Sequence, residues 1–238
     1  MLGRFLELSV QTPDIAASLD FYTKLGFSQA PVGETWPHPY AVVTDGRLCL
    51  GLHQQEGGED QLTFVRPELL KAVPALERAG VELEYRHLGS DEFNRIGWRD
   101  PGGLAIRLLE ARTFSPNNRR APTSSVCGYF LEIALPSLDL EAAKQYWERF
   151  GFVGMDELEA VLPHIACTSD TIELGLYEAA SVRRPTLLFE SEDPRALAAE
   201  LTRLGIATVD KLPAALRLAR PVMLVAPEGT PILVLPAS

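Results

Sequence analysis

An internal repeat constrains the fold of this chain more than any other feature of its sequence. Residues 5–27 read FLELSVQTPDIAASLDFYTKLGF, and residues 130–152 read FLEIALPSLDLEAAKQYWERFGF. Three further pairs of segments match at offsets of 124 to 126 residues: 48–54 with 172–178, 61–70 with the segment from 186, and 100–109 with 226–235. Four matches at a nearly constant offset predict two copies of one domain.

The segment TFSPNNRRAPTSS separates the two copies and is rich in Pro, Ser, Asn and Arg, a composition typical of a linker. We therefore expect a first domain over residues 1–112, a linker over 113–125 and a second, degenerate copy over 126–238.

Each copy is itself built of two similar halves. FLELSVQ alternates strictly, which predicts a strand with Leu6, Leu8 and Val10 on its core face. The next segment has apolar residues at helical spacing, with Asp14 as N-cap and Gly26 as left-handed C-cap. Further strands are expected at 40–44, 48–53, 62–65, 81–87, 95–99 and 104–110, and a helix at 67–79. Each half therefore reads β-α-β-β-β.

Charge and composition exclude several classes of partner. The net charge is −10, which repels phosphate backbones and disfavours nucleic acid as a partner. No run approaches the ~18 apolar residues of a membrane span, and no secretion signal precedes the first strand. Three cysteines are too few for a disulfide framework. We expect a cytoplasmic protein, monomeric or homodimeric, whose partner is a small molecule.

Two motifs, combined with the paired modules, give the sequence a family resemblance. The motif residues are Asp14, Ser18, Phe21, Tyr22, Leu25, Gly26 and Phe27, followed by Asp100, Pro101 and Gly103. This pattern resembles the vicinal oxygen chelate superfamily, which includes glyoxalases, extradiol dioxygenases and bleomycin resistance proteins. The resemblance implies an α+β fold of two tandem domains, each with paired βαβββ modules in a curved mixed sheet around a cup, with helices outside. Because this fold hosts many chemistries, the function has to be argued from the site.

The resemblance also implies four metal-ligand positions in each cup. They fall on Glu7, Gly51, Gln61 and Arg107 in the first copy, and on Glu132, Gly175, Thr186 and Leu233 in the second. In the first copy only Glu7 and Gln61 carry ligand atoms, and the charge of Arg107 repels a cation. We therefore expect no metal and no other cofactor. If a divalent ion does bind, the candidate ligands are Glu7, Gln61 and His53, which lies two residues beyond Gly51.

Glu7 and Arg107, the candidate catalytic residues, have two interpretations. They form a structural salt bridge with Gln61 attached, or Arg107 anchors a carboxylate, phosphate or enolate-like group while Glu7 positions the ligand or acts as a base. Trp36, His38 and Tyr40, in the segment TWPHPY, stack on a flat ligand or form a rigid loop that covers the core. The predicted ligand-binding set is Glu7, His53, Gln61, Arg107, Trp36 and Tyr40.

The leading functional hypothesis is a metal-independent protein that binds a small molecule in the first cup. One alternative is a metal-dependent lyase, isomerase or dioxygenase of the same superfamily with a shifted site around Glu7, His53 and Gln61. The other is a structural or regulatory protein whose cups are filled by side chains. Whether the chain is an enzyme stays open at this point. In the second copy Glu132, Glu173 and Glu190 share the cup-facing parity, which indicates either a cationic ligand or a collapsed cup.

Overall fold

The computed structural model describes residues 2–33, 36–90, 93–111, 125–157, 160, 162–209, 212, 216 and 221–237. The first half contains β1 (Arg4–Gln11), α1 (Ile15–Lys24), β2 (Ser28–Ala30), β3 (Tyr40–Thr44), β4 (Cys49–His53), β5 (Gln61–Arg66), α2 (Leu69–Arg78), β6 (Tyr85–His87), β7 (Arg95–Arg99) and β8 (Ala105–Glu110). The second half contains β9 (Tyr129–Ser137), α3 (Leu140–Arg149), β10 (Val153–Glu157), β11 (His164–Thr168), β12 (Glu173–Glu178), β13 (Thr186–Ser191), α4 (Pro194–Arg203), β14 (Val222–Val225) and β15 (Pro231–Pro236).

The described strands form two mixed sheets, one from each half of the chain. The first has the order β2-β3-β4-β1-β5-β8-β7-β6, and the second has the order β10-β11-β12-β9-β13-β15-β14. In each sheet the first strand of one module lies beside the first strand of the other, antiparallel to it. The predicted α+β fold of paired βαβββ modules is confirmed. One consequence of the strand order governs the site: β4 borders β1 directly, whereas β5 separates β1 from β8.

A β-bulge at the start of β1 changes which side chains reach the core. Phe5 pairs with Phe64 and Glu7 pairs with Thr63, so Leu6 is the extra residue. Phe5 is therefore buried in the core, with its ring 5.5 Å from that of Phe64, while Leu6 is only half-buried. The prediction that Leu6 faces the core was wrong, because strict alternation does not include a bulge.

The boundaries of the first helix follow the sequence signals. The Asp14 carboxylate accepts hydrogen bonds from the backbone N–H groups of Ala16 (3.0 Å) and Ala17 (3.1 Å), and Gly26 has a φ of 89°. Both caps are thus as predicted.

The second module departs from its predicted boundaries. The helix predicted at 67–79 begins only at Leu69, because Glu68 adopts the left-handed conformation with a φ of 52°. The strand predicted at 81–87 is paired only over Tyr85–His87.

One hydrophobic core continues through both halves of the chain. It contains buried residues from both sheets and from all four helices. The rings of Phe27 and Phe189 lie 6.4 Å apart across the junction, and the Val126 N–H donates to the carbonyl of Leu25 at 2.9 Å. Because the two halves bury apolar surface against each other, we expect them to unfold together.

The motif residues behind the family resemblance help to join the two halves. Ser18 Oγ and Tyr22 Oη, both on α1, donate to the Glu228 carboxylate of the second half at 2.8 and 2.6 Å. Burial and the charge of Glu228 raise the pKa of Tyr22 well above its usual value, so the phenol remains a donor. On the other side, the indole N–H of Trp98 donates to Tyr146 Oη at 2.7 Å.

The predicted linker lies outside the described residues except for Ser125. Among the helices that the structure describes, none is long and apolar enough to cross a membrane.

Substituting Glu228→Ala should lower the free energy of unfolding by roughly 1–3 kcal/mol, because the buried Tyr22 hydroxyl would lose its acceptor and Ser18 would keep only its hydrogen bond with Thr12. Urea unfolding followed by Trp fluorescence and by circular dichroism measures this change. The control is Glu56→Ala at an exposed position, which should change the free energy by less than about 0.5 kcal/mol. Two separate transitions in the unmodified protein would contradict the shared core.

Candidate functional site

The floor of the first cup is a buried carboxylate with three hydrogen-bond donors. Glu7 is only 1% exposed. Its Oε1 lies 2.7 Å from Ser9 Oγ and 3.1 Å from His53 Nε2, and its Oε2 accepts from Tyr40 Oη at 2.6 Å. Burial, followed by the charge of Glu7, raises the pKa of Tyr40, which keeps that hydroxyl protonated. Charge-assisted hydrogen bonds of this kind stabilise an ionised carboxylate in the interior.

Gly51 makes room for this carboxylate. A Cβ atom added at Gly51 would overlap the Glu7 carboxyl group. The position where the family resemblance implies a metal ligand is therefore one where the side chain must be absent. Glycine is required here for close approach and not for its backbone conformation.

The predicted salt bridge between Glu7 and Arg107 is not formed. Thr63 on β5 pairs with Glu7 on one side and with Arg107 on the other, so a whole strand separates the two charges. Neighbouring strands are about 4.8 Å apart, which places Glu7 and Arg107 roughly twice that distance from each other. Gln61 is buried and lies opposite Ser9 instead of opposite Glu7.

Arg107 instead has a buried guanidinium without a complete set of partners. Its Nε and Nη1 atoms are buried and have no hydrogen-bond partner among the described residues. The guanidinium lies over the Trp36 ring, with its central carbon 4.7 Å from the ring centroid. A buried donor without an acceptor costs free energy, and these two Arg107 nitrogens lack one among the described residues.

A cavity of about 400 Å³ lies beside Arg107 and Trp36. The described residues that line it are Trp36, Pro37, His38, Gln55, Tyr85, His87, Arg95 and Arg107. Two of them are arginines and none is acidic, so the local charge is opposite in sign to the net charge of the chain. The cavity therefore favours an anion.

Aromatic and imidazole rings connect the cavity to the buried carboxylate. His38 Nε2 lies 2.9 Å from His53 Nδ1, and the His38 ring stacks on Trp36 with centroids 5.9 Å apart. The Tyr40 and His53 rings lie 4.6 Å apart. Burial lowers the pKa of His38, and its electrostatic interactions with His53 and Arg107 lower it further.

The structure thus arranges the predicted ligand-binding residues into two groups. Glu7, His53 and Tyr40 form the floor, Trp36 and Arg107 form the wall of the cavity, and Gln61 belongs to neither group. The predicted ligand-binding set did not include His38 and Arg95, which also line the cavity. His38 was a stacking candidate in the TWPHPY segment. Arg95 lies on β7 and carried no comparable signal.

These residues do not fit a metal ion as they are arranged. A site needs about three protein ligands directed at one point. Glu7 and His53 supply one adjacent pair, and the other nitrogen of His53 faces His38. Among the described residues no group of three or more His, Cys, Asp or Glu side chains could hold a metal ion.

The second cup repeats the floor, and its described residues place an apolar cluster beside it. The Glu132 carboxylate accepts from Tyr177 Oη at 2.6 Å, His164 Nε2 lies 3.8 Å away, and a Cβ added at Gly175 would overlap Glu132. Burial raises the pKa of Glu132. An apolar cluster fills the space beside this floor; its buried members are Ala134, Leu162, Tyr177, Val182, Leu188, Leu216 and Leu233. The collapsed cup, one of the two possibilities left open for this domain, is the one that the cluster supports.

We expect Gly51→Ala to lower the free energy of unfolding by roughly 1–3 kcal/mol, because the new methyl group overlaps the Glu7 carboxylate. Gly33→Ala is the control, since a Cβ there meets no atom within 4 Å. In the double variant Gly51→Ala/Glu7→Ala the losses in free energy of unfolding should not be additive. The alanine at position 7 removes the carboxylate that the new methyl group would overlap. Additive costs in urea unfolding would show that the two residues are not in contact.

Known proteins share the fold of this chain, although no protein-family model and no curated protein matches its sequence. A catechol 2,3-dioxygenase structure aligns over 100% of this chain and 88% of its own, with a TM-score of 0.62 and 13% identity. The 2,3-dioxygenase LapB from Pseudomonas sp. KL28 aligns over 100% and 94%, with a TM-score of 0.64 and 12% identity. Homoprotocatechuate 2,3-dioxygenase from Brevibacterium fuscum aligns over 98% and 71%, with a TM-score of 0.63 and 15% identity.

This likeness corrects the expectation that no cofactor is needed. The similar structures are ring-cleaving dioxygenases, and reactions of dioxygen require a cofactor such as iron. A metal-free reaction is therefore not assigned to this chain, although its described residues form no three-ligand site. The chain has the two-domain fold of the extradiol dioxygenases, which belong to the vicinal oxygen chelate superfamily that the sequence resembles.

Proposed function

We propose that the first-domain cup binds a small organic anion with a flat ring, anchored on Arg107 and stacked against Trp36. The observation that carries this proposal is the buried Arg107 guanidinium, whose Nε and Nη1 atoms have no partner among the described residues. A planar carboxylate would accept two parallel hydrogen bonds from such a group.

The charges around the cavity support an anion over a neutral or cationic ligand. Arg95 and Arg107 line the same wall, and no acidic side chain is among the described residues that line it. The nearby Glu7 carboxylate does not compete for Arg107, because it already accepts from Ser9, Tyr40 and His53.

The aromatic residues support a flat ligand. Trp36, His38 and Tyr85 border the cavity, and the Arg107 guanidinium already lies over one indole face. Stacking between aromatic rings contributes about 0.5–1.5 kcal/mol to binding for each pair of rings. Several proteins of the same fold are named for aromatic compounds, catechol and homoprotocatechuate among them.

The cellular setting is part of the same proposal. All three cysteines are buried and none forms a disulfide, which suits the reducing cytoplasm. Because the paired domains are already joined in one chain, we propose that the protein acts as a monomer or a homodimer.

The test is titration with benzoate, with the neutral isostere benzamide as ligand control, followed by calorimetry and by Trp fluorescence. Benzoate should bind and benzamide should bind at least about tenfold more weakly. Arg107→Met should weaken benzoate binding by about 10- to 100-fold, the loss expected for a charged hydrogen bond. Arg86→Met removes an equal charge from an exposed position of the same half and should leave the affinity unchanged.

Equal affinity for benzoate and benzamide would overturn the proposal that Arg107 anchors the ligand. Unchanged benzoate affinity in Arg107→Met would overturn it as well. Circular dichroism and the urea midpoint of each variant separate a binding effect from unfolding. Loss of stability without loss of affinity would indicate that Arg107 serves only the fold.

A further inference from the structure

A chain of hydrogen bonds leads from the buried Glu7 carboxylate into the cavity. Glu7 Oε1 lies 3.1 Å from His53 Nε2, and His53 Nδ1 lies 2.9 Å from His38 Nε2. His53 is almost completely buried, whereas His38 is half-buried and lines the cavity together with Arg107.

The carboxylate determines which nitrogen of each ring carries a proton. An ionised carboxylate only accepts, so His53 must donate from Nε2 and leave Nδ1 without a proton. His53 Nδ1 then accepts from His38 Nε2. A neutral His38 is consequently left with an unprotonated Nδ1, the form that accepts a proton.

We propose that His38 is a general base that takes a proton from the ligand in the first cup, with His53 and Glu7 as positioning residues. The proposal rests on the binding function proposed above. In the reaction a C–H or O–H bond of the substrate breaks, its electron pair stays on the substrate, and the proton bonds to His38 Nδ1. The negative charge that develops lies beside Arg107, and the positive charge on His38 is balanced through His53 by Glu7.

The surroundings of His38 favour the neutral base at neutral pH. The charged and titratable groups that the structure describes around it are His53 from β4 and Arg107 from β8, with Arg95, His87 and Tyr85 lining the same cavity. Burial lowers the pKa of His38 from 6.5, and its interactions with His53 and Arg107 lower it further. The second cup has no such base, because His164 stacks on Tyr177 at 4.7 Å beside an apolar cluster.

The probe is 5-nitro-1,2-benzisoxazole, a flat molecule that reports general-base catalysis directly. A base removes its C3 proton, the N–O bond breaks, and the electrons end on the oxygen of the coloured product 2-cyano-4-nitrophenolate. We expect saturable turnover that benzoate inhibits competitively. His38→Gln should lower kcat by about 100-fold or more, within the range attributed to a positioned base. His164→Gln, which replaces the histidine beside the floor of the second cup, should not change it.

The positioning roles have their own measurements. Glu7→Gln should lower kcat with little change in KM, because an amide can donate to His53 and reverse both tautomers. Long-range ¹H–¹⁵N NMR should show Nε2–H on His38 and His53 in the unmodified protein and a changed tautomer in Glu7→Gln. The rate should rise with pH as His38 loses its proton, at lower pH than for an exposed histidine, because burial lowers the pKa of His38.

The outcomes distinguish this inference from the binding function. If His38→Gln binds benzoate like the unmodified protein but loses turnover, the base assignment is supported. Suppose instead that benzoate binds, but either His38→Gln keeps its turnover or the unmodified protein shows none. The assignment of His38 as the general base is then overturned, and the binding function stands. If benzoate fails to bind while His38-dependent turnover persists, the binding function is overturned and the base stands.

Discussion

The buried carboxylate of Glu7 is the interaction on which the first cup depends. A charge at 1% exposure is tolerated only with several donors, and Ser9, Tyr40 and His53 supply them. To reach those donors the carboxylate lies across β4, where only glycine leaves room. One electrostatic requirement therefore selects the residue at position 51, holds Tyr40, and orients the imidazole of His53. The cavity wall is built on this floor.

The second domain shows which parts of this arrangement are general and which belong to the site. Glu132 again lies over a glycine and again accepts from a tyrosine, although tyrosine and histidine have exchanged strands: Tyr40 and His53 in the first cup correspond to His164 and Tyr177. The side chains beside the floor differ more between the two cups. Thr63 and Arg107 of the first cup correspond to leucines in the second, and an apolar cluster occupies the space. The floor is thus common to both copies, and Arg107 lies in the copy whose cup we propose as the binding site.

The two copies depend on each other for stability as well as for shape. Their sheets share one core, and Glu228 accepts from the Ser18 and Tyr22 hydroxyls of the other half. These two residues belong to the motif that gave the sequence its family resemblance. Their chemistry explains the motif: a helix that presents two hydroxyl donors can bind a carboxylate from the other domain. A filled second cup is then useful, because it makes that half a rigid support for the first.

Local signals in the sequence determined the repeat, the βαβββ order, the caps of α1 and the cup-facing parity of Glu7, Gly51 and Arg107. Strand alternation and helix capping depend on near neighbours, so they can be recognised without the fold. Only the tertiary structure decided which of these residues meet. Parity predicted that Glu7 and Arg107 would pair, yet β5 lies between their strands while β4 borders β1. Glu7 therefore bonds to His53 and Tyr40, and Arg107 lies at the cavity with Nε and Nη1 lacking a partner among the described residues. Strand order is a long-range property, and in this protein it separates the buried carboxylate from the arginine that we propose as the ligand anchor.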